Sequence, residues 1–380
     1  MKSENWKKVR LGDILLIQKK SKIKASDGIE NGIYPFFTCS NDIVRTYNSA
    51  QYKGPALIFG TGGKASVHFC DTEFSTSTDC LTYYPVSSEI NLDLVNQYIQ
   101  SNIYLLENGF KGAGLKHVSR DYIANIEINL PDIKTQDYIV QKLNKAKNII
   151  SNSKKLLTKY DLLIKSRFIE MFGDPVTNPM GWEVKKLGNM CSAIMNGTTP
   201  KGGEQVYVKN GITFLRSQNV WHNKIDLEDV AYIDEATHKS MKKSSLRKYD
   251  ILMTKTGRIN TENSSLGRAA LFMGEDDSAN INGHVYLIRL EKEYNHEFVI
   301  KILTSSEYRD YIRSVCVGGI DKRQVNKNHI EDFPIIQPPL KLQQQFAAFV
   351  QQIDKSKFTV QKSLKKAETL YKSLMQQYFA

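Results

Sequence analysis

The chain has 380 residues, 41% of them hydrophobic and 24% charged, a balance that supports buried cores and suggests two or three domains. Fifty-two Lys and Arg face 40 Asp and Glu, a formal charge of +12, which favours a polyanionic partner but is also common among soluble proteins. Five scattered cysteines (Cys39, Cys70, Cys80, Cys191, Cys316) without a C-x-x-C pair fit reduced thiols better than a disulfide framework or a zinc site. No apolar leader follows Met1, and no apolar run approaches the roughly 20 residues that span a bilayer. A soluble cytoplasmic protein without membrane attachment is expected.

Taken in chain order, residues 1–128 open on Trp6-x4-Leu11-Gly12 and alternate short apolar runs such as Ala56-Leu-Ile-Phe59 with turns, a strand pattern. The polar loop Thr38-Cys-Ser40-Asn41 offers Ser40 and Asn41 as DNA contacts, although such residues are also ordinary turn formers. Gly60-Thr-Gly-Gly-Lys64 lacks the glycine spacing and the Ser/Thr of a phosphate loop, so it reads as a strand-to-strand turn presenting Lys64. His68-x-Cys70 has no second pair to complete a metal site and reads as a packed histidine with a free thiol. A helix is expected at 91–107. The glycine-flanked basic run Lys111-Gly-Ala-Gly-Leu-Lys116-His117 suits phosphate contacts or, equally, a solvated turn.

From Ile139 the apolar positions Ile139, Leu143, Ala146, Ile150, Leu157, Tyr160, Ile164 and Met171 alternate four and three apart, broken at Ser153 and Arg167. This is a coiled-coil seam, on a helix of about 37 residues and roughly 55 Å. Pro131 precedes it and Gly173-Asp174-Pro175 ends it. The pattern then starts again: Trp182-x4-Leu187-Gly188 opens residues 182–336, with strand signals at Ile212–Leu215, Asp250–Met253 and His284–Arg289 and a helix expected at 296–313. Arg216, Gln218 and Asn219, then Lys255 and Arg258, then Lys322, Arg323 and Gln324 are its candidate DNA contacts, Arg323 matching Lys116 and Lys327 matching Arg120. Residues 324–379 repeat 117–172 without a gap at an offset of 207. Val118 meets Val325, Pro131 meets Pro338, Gln136 meets Gln343 and Phe172 meets Phe379. The second seam runs Phe346, Val350, Ile353, Val360, Leu364, Ala367, Tyr371, Leu374 and Tyr378, with Lys357 as its polar interruption. The simplest cover for one seam is the other, laid antiparallel within the chain. Asn178-Pro-Met-Gly is not the Asn-Pro-Pro-aromatic motif of adenine methyltransferases. Pro131-Asp132 has no acidic-x-Lys within thirty residues, and nothing resembles a helicase Walker motif or a cofactor-binding Gly-x-Gly fingerprint. No catalytic site can be assembled from these residues.

The ordered, duplicated set of Trp-x4-Leu-Gly openings, Leu130-Pro131-x4-Gln136 and Pro338-Pro339-x3-Gln343 helix starts, Met171-Phe-Gly-Asp-Pro175 and Tyr249-Asp-Ile-Leu-Met253 resembles the specificity subunit of a type I restriction-modification system. Asp132 stands where that family usually has a second proline. The resemblance covers the whole chain. It implies an α+β protein with a pseudo-two-fold internal repeat: target recognition domains at 1–128 and 182–336, separated by a two-helix antiparallel coiled coil of spacer helices at 129–175 and 337–380. It also implies a non-catalytic reader of a bipartite, asymmetric double-stranded DNA target. Two modification (methyltransferase) subunits, and restriction subunits, would be partners and would carry S-adenosylmethionine and ATP with magnesium; this chain would hold no cofactor. Two rival classes stand beside it: a stand-alone nuclease or methyltransferase, and a coiled-coil adaptor that binds no nucleic acid.

Overall fold

The computed structural model describes residues 6–42, 45–259, 261, 263–319 and 321–379; the reading of the first five residues as lacking a leader lies outside them. The chain divides into two compact units, residues 1–156 with 360–380 and residues 157–359. In the first, Leu15–Ile17, Cys80–Pro85, Ala56–Gly60 and Ser66–Cys70 form, in that order, a four-stranded antiparallel sheet. Every residue of Ala56–Gly60 is buried, as an inner strand covered on both faces requires. A second sheet orders Arg45–Tyr47, Tyr34–Phe37 and Ser75–Thr76, with the last pair parallel. Lys7–Arg10 closes the unit by pairing with Glu127–Leu130.

The second unit repeats this plan. Its four-stranded sheet runs Cys191–Asn196, Val285–Leu290, Ile251–Thr254, Ala269–Leu271. Its three-stranded sheet runs Ala231–Ile233, Ile212–Leu215, Ala279–Ile281, and again the last pair is parallel. Val184–Lys186 pairs with Pro334–Ile336 as the closing ribbon. The same odd parallel pair in both units extends the repeat beyond the helices into regions whose sequences have diverged.

The repeated motifs have local physical roles. An added Cβ on Gly12 would meet the Ala124 Cβ and carbonyl oxygen at 3.0 Å, and one on Gly188 the same atoms of Glu331 at 3.1 Å. Each glycine therefore seats one short helix, Arg120–Ala124 or Lys327–Glu331. The preceding leucine amides bond to matching carbonyls, Leu11 to Ile126 and Leu187 to Phe333. Gln136 donates to the Pro131 carbonyl at 2.9 Å and Gln343 to that of Pro338 at 2.8 Å, so the repeated proline-to-glutamine spacing braces each long helix at its start. Trp182 donates its indole N–H to the Phe172 carbonyl at 3.0 Å, anchoring the end of the first long helix. Asn178, the residue of the rejected methyltransferase motif, closes a turn through two hydrogen bonds to the Trp182 backbone.

The long helices are Ile133–Phe172 and Leu340–Phe379, 40 residues each. Gly173, at φ +76°, stops the first, its N–H reaching the Ile169 carbonyl. Within the first unit, Ile139, Val140 and Leu143 share a core with Tyr371, Leu374, Tyr378 and Phe379. Lys154 pairs with Glu368, and Lys147 lies over the Tyr371 ring. As one helix advances the other retreats, so they are antiparallel. The second unit shows the same sense, with Lys357 on Asp161 at 2.6 Å and Phe168 on Phe346. There Phe168, Phe172, Phe298 and Phe346 pack mostly edge to face, with ring centroids 4.9 to 5.8 Å apart. Every expected apolar seam position is buried or half-buried. Lys357, its one charge in the second seam, is held by its ion pair.

Candidate nucleic-acid interface

In the first unit the turn after Ala56–Gly60 and the run Lys111–His117, distant in sequence, meet as one small platform. Lys111 and His117 exchange backbone hydrogen bonds at 2.9 and 3.0 Å. The Gly63 amide reaches the Lys116 carbonyl, and the Val118 amide the Thr61 carbonyl. Gly112, at φ +143°, closes the loop where a Cβ would lie 2.8 Å from the Leu115 carbonyl oxygen, so glycine is needed there. Lys64, Lys111, Lys116 and His117 are all exposed on this platform. The Thr38–Asn41 loop abuts it: the Gly62 amide donates to Cys39 Sγ at 3.3 Å. The Ser40 carbonyl is held by His68 Nε2 at 2.8 Å. His68 is buried against Phe37, and that burial lowers its pKa, opposed by the Ser40 contact. Ser40 and Asn41 are exposed, and Ser40 lines an open cleft with Asp42 and Arg45.

The second unit builds the same platform more fully. Thr256–Gly257, Arg323–Gln324 and Val317–Gly318 form a three-stranded sheet. The Val325 amide reaches the Lys255 carbonyl as that of Val118 reaches Thr61. Lys255 and Arg258 therefore occupy the places of Thr61 and Lys64, and Gln324 that of His117. Lys255 Nζ lies 5.7 Å from the Tyr286 ring centre. Arg258 and Lys322 are exposed, while Arg323 and Gln324 are half-buried. Arg323 donates to the Cys316 carbonyl at 3.3 Å and Gln324 to Asn326.

Two expectations need correction. Carried upstream, the offset of 207 sets the run Lys111–His117 on Gly318–Gln324, and there it is off by one at its start: Val317 pairs with Gln324 as Lys111 pairs with His117. Gly318, at φ +121°, is thus the counterpart of Gly112, and the second loop is one residue longer. Asn219 is 2% exposed, with its side chain bonded to the Asp226 and Asp229 carbonyls and the Arg216 amide, so it holds a turn and cannot touch a ligand. Its neighbours Arg216 and Gln218 are tied to Asp229, at 3.3 and 2.8 Å.

A further basic cluster escaped the sequence reading. The Arg268 guanidinium lies 3.9 Å from the Trp221 ring centre, and Gly267 packs on Ile312 between Arg309 and Arg313. Burial, then Arg309, Arg268 and Arg313, lower the pKa of His222. The legible signal was the i, i+4 arginine pair on an expected helix. Among the described residues no group of His, Cys, Asp and Glu is arranged to hold a metal, and no helix is long and apolar enough to cross a membrane.

The model of the type I restriction modification DNA specificity domain matches this chain twice, over residues 3–159 and 179–369. The MjaVIII specificity subunit of Methanocaldococcus jannaschii, a type I restriction enzyme component, is 23% identical over 411 residues, covering 97% of this chain and 92% of that protein. The putative MjaX specificity subunit of the same organism is 23% identical over 202 residues, 53% of this chain and about half (46%) of that protein's length. The crystal structure of the S subunit of a type I restriction-modification system from M. genitalium superposes with a TM-score of 0.71 at 14% identity, covering 99% of this chain and 96% of that one.

Proposed function

This chain belongs to the type I restriction modification DNA specificity family, carrying two copies of its domain, and from that premise we propose that each unit reads one half of a bipartite, asymmetric DNA target through its basic platform. A specificity subunit recognises DNA sequence, is not itself catalytic and assembles with other subunits. The finer assignments are ours. Residues 1–128 and 182–336 act as the target recognition domains, and 129–175 and 337–380 as spacer helices that set the unread gap. Two methyltransferase subunits dock on the duplicated helices and restriction subunits join them, in the cytoplasm. S-adenosylmethionine and ATP with magnesium are bound by those partners.

The observation that carries this reading is the duplicated platform, built by the same backbone hydrogen bonds but lined by different side chains: Lys64, Lys111, Lys116 and His117 in one unit, Lys255, Arg258, Lys322, Arg323 and Gln324 in the other. Like scaffolds with unlike contacts suit two different half-sites. Ser40 and Asn41 flank the first platform, and the Asp229-bound Arg216 and Gln218 stand in the corresponding loop of the second unit; Asn219 is left out because it is buried.

Phosphate contacts make affinity fall with salt, each contributing a slope of roughly 0.9 for duplex DNA. Lys64→Ala with Lys116→Ala should weaken binding to a random-sequence duplex and reduce the salt slope by about 1 to 2. An unchanged slope would remove this platform from the DNA interface. The outward apolar residues Leu163 (46% exposed) and Leu370 (52% exposed) occupy matching positions at the offset of 207, which is the support for two similar docking surfaces.

A further inference from the structure

We propose that Cys39 and Cys80 form a peroxide-oxidisable thiol pair that reshapes the basic platform of the first unit alone. Each thiol reaches the main chain beside the other. Cys39 Sγ donates to the Asp79 carbonyl at 3.0 Å, and Cys80 Sγ to the Phe37 carbonyl at 3.6 Å. Gly60, the cross-strand partner of Cys80, lies so near Cys39 that an added Cβ would sit 3.0 Å from its Cα. Cys39 is half-buried in the Thr38–Asn41 loop, whereas Cys80 is 1% exposed.

The pair is electronically unequal. The Cys80 thiol, then the Gly62 and Thr61 N–H groups, draw the Cys39 pKa down to about 6 against the opposing effects of burial and Asp79. The same neighbour, Cys39, and then burial push the Cys80 thiol far up. Cys39 is therefore the more readily ionised thiol of the two, and Cys80 the one that keeps its proton. Cys191 is pushed up to about 12 by burial, so it offers no comparable nucleophile. The second unit has no such pair: strand alignment puts Ser217 in the place of Cys39 and Val285 in that of Cys80.

The Cys39 thiolate attacks hydrogen peroxide; an S–O bond forms, the O–O bond breaks and hydroxide leaves, giving a sulfenic acid. The sulfur is oxidised by two electrons and the peroxide reduced. The hydroxide released takes the Cys80 proton to become water, and the Cys80 thiolate attacks the Cys39 sulfur, so that S–S forms, S–O breaks and hydroxide leaves. Drawing Cys39 toward Cys80 removes the acceptor of the Gly62 amide, and Gly62 is bridged to His117. The effect on DNA rests on the platform being a DNA interface as proposed above.

The test treats the full chain with hydrogen peroxide and follows peptides by mass spectrometry and random-sequence duplex binding by titration. Joined Cys39 and Cys80 peptides, two hydrogens lighter, should appear first, with affinity falling roughly tenfold, as the loss of one or two phosphate contacts would cause, and returning with dithiothreitol. Cys39→Ser should lose the response to peroxide. Cys80→Ser should stop at a sulfenic acid that dimedone traps on Cys39. Oxidation of other cysteines before Cys39 overturns the proposal. So does a joined pair with undiminished affinity when Lys64→Ala and Lys116→Ala do weaken binding. If those lysine changes have no effect while the joined pair forms, the DNA reading of the platform fails and the thiol chemistry stands.

Discussion

Gly112 and Gly318 show how one backbone angle decides what a basic loop can present. At φ +143° and +121°, both are in a region that side chains strain to adopt, and each would drive a Cβ into a carbonyl across its loop. Gly112→Ala should therefore disturb the Lys111–His117 loop at a cost of roughly 1–3 kcal/mol, read as weaker duplex binding and a melting temperature of the unit lower by several degrees. Equal affinity to the parent would remove this loop from the interface. Asp250 makes a different kind of claim. Buried at 2% exposure, it takes two hydrogen bonds from Arg289, at 2.8 and 2.6 Å, and another from the Arg247 amide. Asp250→Ala strands a largely buried guanidinium and should destabilise the second unit by about 3 kcal/mol in denaturant unfolding. A loss under about 1 kcal/mol would mean the pair behaves as a surface bridge. Residue types in the candidate loops were legible in the sequence, but their availability was not. Arg216, Gln218 and Asn219 look like a reading loop until Asp226 and Asp229 fold back onto them.

At the scale of elements, periodicity served best where geometry is regular. The seam expected for each long helix is the one buried, and the helix starts and stop lie where proline and glycine placed them. The expected helices at 91–107 and 296–313 are each broken in two, into Leu92–Ser101 with Tyr104–Glu107 and His296–Leu303 with Ser306–Val315. In the second case Ser305 starts a new helix by accepting the Tyr308 amide, a choice that depends on the side chain bonding locally instead of continuing the turn. The joining of two sequence-distant runs into one platform was likewise invisible, because strand register is a tertiary fact. Leu143 is 0% exposed in the helix core of the first unit. Leu143→Ala should cost about 2–5 kcal/mol there, a cavity penalty, seen as early melting of that unit by hydrogen exchange. A change of less than about 1 kcal/mol would place the residue in a collapsible or solvated seam.

For the molecule as a whole, duplication is the organising fact. Two units share strand order, the same parallel pair and the same platform, yet differ where ligands would be read. The first unit joins its platform strands by the short turn Thr61–Ala65, whereas the second inserts the longer run Lys255–Arg268 and adds the Arg268, Arg309 and Arg313 cluster. A symmetric target would not need such divergence. The ungapped offset of 207 made the duplication legible, because helical packing constrains every residue of a seam. The target bases are not legible, because the loops that would read them follow no period.

The most direct test exchanges residues 182–336 for the corresponding region of another specificity subunit and maps methylated adenines in a host that supplies the methyltransferase subunits. We expect a split target in which one half-site changes while the other half-site and the gap length stay as in the parent. A change in both half-sites, or a single contiguous recognised sequence, would contradict the assignment of one half-site to each unit.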